Sequence, residues 1–276
     1  MTLAGQVALV TGAGRAAGLG LAIATRLARD GARIVLHDRG AVAGDLAPAH
    51  GIGLAHDLET AAASLRQSGA EVATVTGDLR DETVIAAIVA AADTAFGRLD
   101  ILVNNAGIGY LFGPMIEMEA AHLDAVLSVN LRAPTLLTKH AARLMIRGGQ
   151  GGRVINIASQ AAKSGFAFAV AYTASKHGLL GLTRAAALEL GPHGITVNAI
   201  CPNHVTTGLG AWQNDYMAQA RGETTDQYLD AMRARIPLGR TGTPQDTAEL
   251  AAYLCSAQAA YITAEAINVS GGEEYH

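Results

Sequence analysis

The chain has 276 residues, half of them hydrophobic, with a formal net charge of -4 and an isoelectric point near 6.1. This mild acidity argues against nucleic acid as the main partner, and no apolar run approaches the roughly 20 residues of a membrane span. The N-terminus lacks a signal-peptide pattern. Cys201 and Cys255 are too few for a disulfide framework and lack metal-ligand spacing, so we expect a cytoplasmic protein in a reducing compartment.

Apolar runs alternate with helical patterns along the chain, without a linker or a low-complexity tract. Short β-branched runs predict strands at Val7–Val10, Arg33–His37, Val72–Thr76, Leu99–Val103, Val154–Ile157, Thr196–Ile200 and Ala266–Val269. Helical spacing predicts helices that include Gly20–Asp30, Leu58–Gln67, Glu82–Phe96 and Tyr172–Leu190. This alternation predicts an α/β fold: a single domain over residues 1–276, built as a doubly wound (Rossmann) parallel sheet with helices on both faces.

Two segments depart from the alternation. Gly40–Asp57 is long and rich in glycine and alanine, so we expect an insertion after the second strand. Asn203–Arg240 carries Trp212, Tyr216 and Tyr228 among polar residues. A long segment beside an active site often closes over the substrate, so we predict a substrate lid there. A pair of surface helices without substrate contact is the alternative.

A glycine-rich loop joins the first predicted strand to the first helix. It reads Thr11-Gly-Ala-Gly-Arg-Ala-Ala-Gly-Leu-Gly20, and such glycines let the backbone approach a pyrophosphate at a helix N-terminus. Asp38 ends the second strand, where a carboxylate accepts hydrogen bonds from the adenosine ribose. The same carboxylate repels a 2′-phosphate, although Arg15 and Arg39 stand close enough to neutralise one. We therefore predict a dinucleotide site that prefers NAD to NADP.

Six short motifs follow one another along the chain, each at the end of a predicted strand or inside the matching helix. They are Thr11-Gly12 with Gly18-Leu-Gly20, Asp78-Leu79, Asn104-Asn-Ala-Gly107, Asn130, Ser159 and Tyr172-x-x-x-Lys176. Any one of them is a weak signal, but the ordered set is specific. In this set the chain resembles the short-chain dehydrogenase/reductase family over nearly its whole length. The resemblance implies an NAD(P)-dependent oxidoreductase that interconverts a secondary alcohol and a ketone.

The resemblance also implies the cofactor contacts. They fall on Gly12, Gly18, Leu19, Asp38, Asp78, Leu79, Asn104, Ala106, Gly107, Tyr172, Lys176, Pro202, Val205 and Thr207. Among these, Asp78 would bond the adenine amino group and the backbone at Leu79 would help to fix the ring. Asn104, Ala106 and Gly107 would line the ribose side. Pro202, Val205 and Thr207 lie in a segment similar to the one that holds the nicotinamide carboxamide.

Three features depart from the family pattern. Five residues separate Gly12 from Gly18 where the family usually has three, so we expect a bulged loop that keeps its pyrophosphate contact. Asn203 stands where the family usually has glycine, and we expect it to tolerate a positive φ there. The predicted insertion resembles one in a subset of the family whose NAD is tightly held.

The spacing of Tyr172 and Lys176 places both side chains on one face of a helix. A free tyrosine, with a pKa of about 10, is a poor base, but a lysine ammonium one turn away favours the phenolate. Tyr172 would then exchange a proton with the substrate oxygen, which Ser159 would hold. By the resemblance, Lys176 also bonds the nicotinamide ribose and Asn130 completes a water-linked proton path. The alternative makes the pair an ordinary exposed helix pair, with Ser159 a strand-end cap and Asn130 a turn residue.

The substrate is less well defined than the chemistry. The candidate lining is mixed and consists of Tyr110, Phe112, Gln160, Phe166, His204 and Trp212. Gln160 adjoins Ser159 and His204 adjoins the nicotinamide segment, so we expect both to bind substrate together with Ser159 and Tyr172. Polar members suit a sugar or polyol, which we favour slightly. Aromatic members suit a hydroxysteroid or terpene alcohol, and a 3-oxoacyl thioester is the third alternative.

Functions of other classes are less consistent with the residues. A non-catalytic NAD-sensing regulator would ordinarily lack one of Ser159, Tyr172 and Lys176, and a structural protein would not need the glycine loop. The nine histidines show no paired-ligand spacing, so no metal is predicted. Family members usually form tetramers or dimers through helices like those near Glu119–Arg147 and Tyr172–Leu190. We therefore expect a homo-oligomer that acts on a small molecule.

Overall fold

The computed structural model describes residues 2–40, 54–109 and 111–276. Within these ranges, seven strands form one parallel sheet in the order β3-β2-β1-β4-β5-β6-β7. The strands are β1 Val7–Thr11, β2 Arg33–Asp38, β3 Val72–Thr76, β4 Ile101–Asn104, β5 Gly152–Ile157, β6 Ile195–Pro202 and β7 Ala266–Val269. The predicted doubly wound parallel sheet is confirmed.

The described ranges also contain nine α-helices. They are α1 Leu19–Arg29, α2 Ala55–Gln67, α3 Glu82–Phe96, α4 Ala120–Leu127, α5 Ala133–Gly148, α6 Val170–Leu190, α7 Gly208–Arg221, α8 Thr225–Arg235 and α9 Pro244–Cys255. Local chemistry sets their ends. The Asp81 carboxylate accepts the Thr83 N–H at the start of α3, and Gly97 ends that helix with φ +72°. None of the described helices is long and apolar enough to cross a membrane.

Helices cover the sheet on both faces. Along β1, Ala8 and Val10 pack in the apolar layer beneath α1, α2 and α9, whereas Val7 and Leu9 pack in the layer beneath α3, α5 and α6. Successive side chains of a strand point to opposite faces, so a strand covered on both sides must be apolar throughout. This explains the unbroken apolar runs of the sequence and leaves the carboxyl ends of the strands as the place for polar chemistry.

The predictions for the two irregular segments compare differently with the structure. Residues 41–53, which make up most of the predicted insertion Gly40–Asp57, lie outside the described residues. The predicted end of this insertion was wrong, because α2 begins at Ala55. The Asp57 carboxylate accepts the Leu54 N–H at 2.9 Å and so starts the helix three residues before Leu58, where the sequence pattern begins it. The segment Asn203–Arg240 contains α7 and α8, and its role as a lid stays a prediction.

Candidate active site

A cavity of about 400 Å³ opens at the carboxyl ends of the central strands, where the strand order reverses between β1 and β4. This switch point is where open α/β sheets bind their ligands. Several residues named from the sequence line the cavity: Gly12, Gly18, Leu19, Asp38, Asp78, Leu79, Ala106, Gly107, Tyr172, Lys176 and Thr207. The fold therefore brings residues from six separate segments to one place.

The glycine loop is held against the segment that follows β4. A Cβ on Gly12, whose φ is +68°, would stand 2.8 Å from the Ala106 Cα, so only glycine fits there. The Asn105 amide donates to the carbonyls of Thr11 and Gly12 at 2.8 and 3.0 Å. The Thr11 hydroxyl oxygen accepts the N–H groups of both Asn105 and Ala106 at 3.1 Å. These bonds join the two loops into one unit.

The loop suits a pyrophosphate. Among the described residues no side chain caps the first turn of α1, which begins directly after Gly18. Its N–H groups are thus available to an anion at the positive end of the helix dipole. The longer loop turns back on itself through a bond from the Gly18 N–H to the Arg15 carbonyl at 3.0 Å. A dinucleotide therefore fits the residues at this end of the cavity.

Charged side chains dominate the far end, beside β2 and β3. The buried Asp38 carboxylate accepts the Gly14 N–H at 2.8 Å and the Arg39 N–H at 2.7 Å. Asp78 is bonded by Arg80, and its Oδ2 lies 3.1 Å from the Arg39 Nε. Burial opposes the ionisation of Asp78, but the bonds to Arg80 and the charge of Arg39 outweigh it and lower its pKa. Each Asp38 oxygen keeps a lone pair for a ribose hydroxyl.

Tyr172 and Lys176 lie one turn apart on α6, at the opposite end of the cavity. The Lys176 Nζ lies 5.6 Å from the centre of the Tyr172 ring and donates to the Ile157 carbonyl at 2.8 Å. Burial lowers the pKa of Lys176 to about 8. Burial raises the pKa of Tyr172, while the hydrogen bond with the Ser159 side chain acts in the opposite direction. The three side chains predicted to do the chemistry are therefore close together.

Asn130 lies in a π-helical turn, Ser128–Arg132, between α4 and α5. Its Oδ1 accepts the Ile108 N–H at 2.7 Å, and its Nδ2 donates to the Ile108 carbonyl at 2.9 Å and to the Ser175 hydroxyl at 3.1 Å. Because the side chain is fully engaged, it positions the loop that lines the cavity. A role for Asn130 in a proton path would have to run through its main-chain carbonyl.

Replacing Asn130 by alanine should therefore loosen this loop. The Ile108 N–H and carbonyl lose their partners, so we expect the free energy of unfolding in urea to fall by about 2 kcal/mol. The dissociation constant for NADH, measured by its fluorescence, should rise about tenfold as the loop moves. Asn130→Asp keeps the acceptor for the Ile108 N–H and should show a smaller change in both quantities. Unchanged stability and NADH affinity in the alanine variant would contradict this positioning role.

Other predicted residues lie away from the cavity lining. The Asn104 amide donates to the Asn156 and Thr138 side chains in the interior, so residue 104 would have to reach a cofactor through its main chain. Pro202 pairs with Val269 in the sheet, and Val205 forms a bridge with Gly242. Of the predicted carboxamide segment, Thr207 lines the cavity, and its hydroxyl oxygen also caps α7 by accepting the Gly210 N–H.

The two additional substrate candidates differ in their surroundings. The Gln160 Oε1 is buried next to Ser159 and has no hydrogen-bond partner among the described residues, so a ligand hydroxyl there would satisfy it. His204 instead lines a second cavity of about 510 Å³, and its Nε2 lies 3.8 Å from the Glu273 carboxylate. Burial lowers the pKa of His204, although Glu273 acts in the opposite direction. His204 is not among the residues that line the cavity at Tyr172, and its role in substrate binding stays a prediction.

The expected positive φ at Asn203 was wrong. In the described chain, the non-glycine residues with positive φ are Phe168 and Ala264. The Asn203 amide donates to Glu273 near the C-terminus, and its N–H donates to the Val269 carbonyl at 3.1 Å. These long-range bonds hold the turn without a left-handed residue. They were not predictable from local sequence, because Glu273 lies 70 residues away.

Sequence reasoning missed three polar side chains that line the cavity: Asn105, Arg80 and His37. Asn105 lies within the motif Asn104-Asn-Ala-Gly107, and Arg80 lies two positions after Asp78, so the motifs could have predicted both residues. His37 was considered only as a metal candidate. Its Nε2 lies 3.0 Å from the Gly77 carbonyl, and burial lowers its pKa. These residues complete the charged end and the loop contacts of the site.

An aromatic cluster adjoins Tyr172. The Phe112 ring contacts the Tyr172 ring edge-on, with their centres 6.4 Å apart. Phe112 also contacts Trp212 and Tyr216 of α7, at 6.0 and 5.9 Å between ring centres. Tyr110, another predicted lining residue, lies outside the described residues. The predicted lid segment is thus in contact with the residues around Tyr172.

Comparison with known proteins agrees with this geometry. The family model described as enoyl-(acyl carrier protein) reductase matches residues 12–274. The chain belongs to the short-chain dehydrogenase/reductase family. Galactitol 2-dehydrogenase of Agrobacterium fabrum is 36% identical over 272 residues, which cover 99% of this chain and 98% of that relative. The resemblance stated from the sequence is confirmed.

Two solved structures of short-chain dehydrogenase/reductases have the same fold. A variant of actinorhodin polyketide ketoreductase with NADPH has a TM-score of 0.88 and 38% sequence identity, and the match covers 98% of each chain. Carveol dehydrogenase of Mycobacterium avium in complex with NAD has a TM-score of 0.91 and 28% identity, again over 98% of each chain. Similar proteins thus include one with each nicotinamide cofactor, and their named substrates differ in chemistry.

Proposed function

We propose that this chain is an NAD-dependent oxidoreductase that interconverts a secondary alcohol and a ketone. The observation that carries the proposal is the arrangement of Tyr172 and Lys176, with Ser159 bonded to Tyr172, at one end of a cavity whose other end presents Asp38. The loop at Gly12 and the uncapped start of α1 would hold the pyrophosphate between these ends. When bound there, the nicotinamide supplies the group that accepts or donates hydride.

The side chains perform the proton transfer. Ser159 donates a hydrogen bond to the substrate oxygen and stabilises the charge that develops on it. Tyr172 takes the proton from the hydroxyl during oxidation and gives it back to the oxygen during reduction. Lys176, when protonated, lowers the cost of a Tyr172 phenolate by its positive charge and would also bond the nicotinamide ribose. The apolar surroundings of Lys176 strengthen this interaction, because little water screens it.

NAD is the cofactor that Asp38 supports. Its buried carboxylate would accept hydrogen bonds from the two adenosine ribose hydroxyls and would repel a 2′-phosphate. Arg15, Arg39 and Arg80 also line this end of the cavity and would attract such a phosphate. The Asp78 carboxylate lies between Arg39 and Arg80 and offsets part of their charge. The preference therefore depends mainly on Asp38.

The proposal is tested by following NADH formation from a panel of secondary alcohols that contains polyols and ring alcohols. Formation of NADH with one of them, and its loss in Tyr172→Phe, is the expected result. If the wild type binds NADH with micromolar affinity and turns over no alcohol and no ketone, a non-catalytic NAD-sensing regulator replaces the proposal. A sugar or polyol was favoured from the sequence, and the galactitol relative supports that class.

The rate of ketone reduction should fall at alkaline pH. Tyr172 must be protonated to donate, and its raised pKa keeps it so at neutral pH. Lys176, with a pKa of about 8, loses its charge above that pH and then no longer stabilises the phenolate. We expect kcat/KM for a ketone at saturating NADH to be constant below this pKa and to fall up to about tenfold per pH unit above it.

A Lys176→Arg variant is the control for this assignment. Arginine keeps its charge throughout the accessible pH range, so the alkaline decrease should move to higher pH even where the variant is slower. A decrease in wild type centred below neutral pH would contradict the assignment and would point to a histidine. The same decrease in wild type and Lys176→Arg would assign it to Tyr172.

Self-association forms part of the proposal. Ile146 on α5 and Leu188 on α6 are exposed apolar residues on the helices through which the resemblance implies dimer or tetramer formation. Exposed apolar side chains on one helical face favour an interface with a second copy.

A further inference from the structure

The phenylalanines and the tryptophan of this chain are unevenly distributed. It has four phenylalanines and a single tryptophan. Phe112, Phe166, Phe168 and Trp212 stand in the segments that border Tyr172, which leaves only Phe96 elsewhere. In the described ranges, the buried members of the three core clusters around the sheet are all aliphatic or sulfur-containing. The core clusters around the sheet therefore do not explain Phe112, Phe166, Phe168 and Trp212, whereas their position beside Tyr172 does.

Phe112 and Trp212 form a continuous surface with Tyr216. Trp212 and Tyr216 are one helical turn apart on α7 and stack with their centres 5.7 Å apart and their planes at 23°. Phe112 contacts both of them and also the Tyr172 ring. The Gln213 amide fixes α7 by donating to the Gly109 carbonyl at 2.6 Å. We call Phe112, Trp212 and Tyr216 the aromatic wall.

Exposed apolar residues border the wall. Met115 and Ile116 follow Phe112 closely and are 67% and 94% exposed. The loop between Ser159 and Tyr172 carries the partly exposed Phe166 and Phe168. Phe168 has φ +67°, and its carbonyl accepts the Gly113 N–H at 2.9 Å. A bulky residue in the left-handed region and adjacent exposed apolar side chains are features of ligand-binding surfaces.

Two polar side chains of α7, Gln213 and Asp215, are directed to other partners. The Gln213 Nε2 is engaged with Gly109, and the Asp215 carboxylate accepts the Thr225 hydroxyl of α8 at 2.8 Å. A substrate with many hydroxyl groups would leave several of them unpaired against the wall, at a cost in binding free energy for each. A ring with one reacting oxygen needs only Ser159 and Tyr172 as partners.

From these contacts we infer that the aromatic wall binds a cyclic, mainly apolar ketone or alcohol, whose ring packs on Trp212 and Tyr216 while its oxygen reaches Tyr172. The inference rests on the proposed oxidoreductase function and names the substrate class of that site. Flat rings match the wall because offset stacking and edge contacts between rings add to the apolar area that is buried. Sugars and polyols, the class that we favoured slightly from the sequence and that the galactitol relative supports, are then the poorer substrates.

Fluorescence of Trp212 tests binding without turnover, because it is the only tryptophan of the chain. The probe is α-tetralone, a bicyclic aromatic ketone, added to the wild type and to Tyr172→Phe. We expect a saturable change in the Trp212 emission in both proteins. An acyclic ketone with the same number of carbon atoms and D-fructose are the comparison ligands, and they should cause a smaller change or none at equal concentration.

Steady-state kinetics test the same inference through the wall itself. In Tyr216→Ala, kcat/KM for α-tetralone should fall about tenfold, whereas kcat/KM for the acyclic ketone should change less than about threefold. Tyr216→Leu removes the ring but keeps a smaller apolar side chain in its place, and serves if the alanine variant is unstable. Tyr261→Ala removes a fully exposed tyrosine and is the matched control, with both values unchanged.

The outcomes separate the two proposals. If no ketone and no alcohol is turned over but α-tetralone still changes the Trp212 emission, the ring site stands and the proposed reaction fails. If D-fructose or a polyol is turned over with a higher kcat/KM than α-tetralone, and α-tetralone leaves Trp212 unaffected, the reaction stands and the ring site is refuted. An equal loss for the cyclic and acyclic ketones in Tyr216→Ala would also overturn the wall as a specificity determinant.

Discussion

Replacing Tyr172 by phenylalanine is expected to lower kcat for alcohol oxidation by about 10³-fold, within the range found for loss of a general acid–base group. The change removes one oxygen and keeps the ring that contacts Phe112, so the aromatic packing around the site is retained. It removes the group that takes the substrate proton and the partner of the Ser159 side chain. Stopped-flow or steady-state NADH absorbance measures the loss.

Tyr253→Phe and Ser159→Ala are the comparison variants for Tyr172→Phe. Tyr253→Phe makes the same chemical change on α9, outside the cavity lining, and should keep the wild-type rate. Ser159→Ala removes hydrogen-bond stabilisation of the substrate oxygen but keeps the proton acceptor, so a decrease of about 10²-fold is expected. The NADH dissociation constant of Tyr172→Phe should rise less than about tenfold. Retention of full kcat in Tyr172→Phe would show that another group is the base.

Replacing Asp38 by serine is expected to change the ratio of kcat/KM for NAD to that for NADP about 100-fold towards NADP. Two like charges about 4 Å apart near a protein surface repel with about 4 kcal/mol, so even partial relief of the repulsion has an effect of this size. Arg15, Arg39 and Arg80 line the same end, and they then attract the 2′-phosphate without the opposing negative charge of Asp38. Serine still offers an oxygen to the Gly14 N–H.

The change in cofactor preference can be measured by cofactor binding as well as by turnover. The fluorescence of NADH and NADPH gives both dissociation constants without a substrate, so the result does not depend on which alcohol the enzyme uses. Asp78→Asn weakens the hold on Arg39 and Arg80 and should shift the preference in the same direction by a smaller factor. Asp226→Asn, on the exposed first turn of α8, changes the net charge equally and should leave the preference unchanged. An unaltered ratio in Asp38→Ser would assign the preference to other residues.

Most of the fold was predictable from sequence, for a physical reason. Helix α3 spans Glu82–Phe96 and β7 spans Ala266–Val269, as predicted, because a capping carboxylate, a terminal glycine and β-branched runs act over a few residues. Parallel strands then bring their carboxyl ends to one edge of the sheet. This is why the order of strands and helices alone predicts that the glycine loop, Asp38 and Tyr172 belong to one site.

Long-range contacts account for the other differences. The motif named Asp78 and Asn130, but their pairing with Arg39, Arg80 and Ile108 depends on neighbouring strands and helices. His204 adjoins the predicted nicotinamide segment in sequence, yet Glu273 and the second cavity lie beside it in space. No local pattern carries such information.

The chemistry and the substrate class thus have different origins in this chain. Tyr172 and Lys176 are four residues apart, and helical geometry alone sets them on one face, so the reaction was readable from the order of the residues. Phe112 and Trp212 are separated by two crossovers of the sheet, through β5 and β6, and they meet only because α7 packs back over the segment after β4. The spacing of residues along one helix therefore determines the site of proton transfer, whereas packing between distant segments forms the surface that selects the substrate.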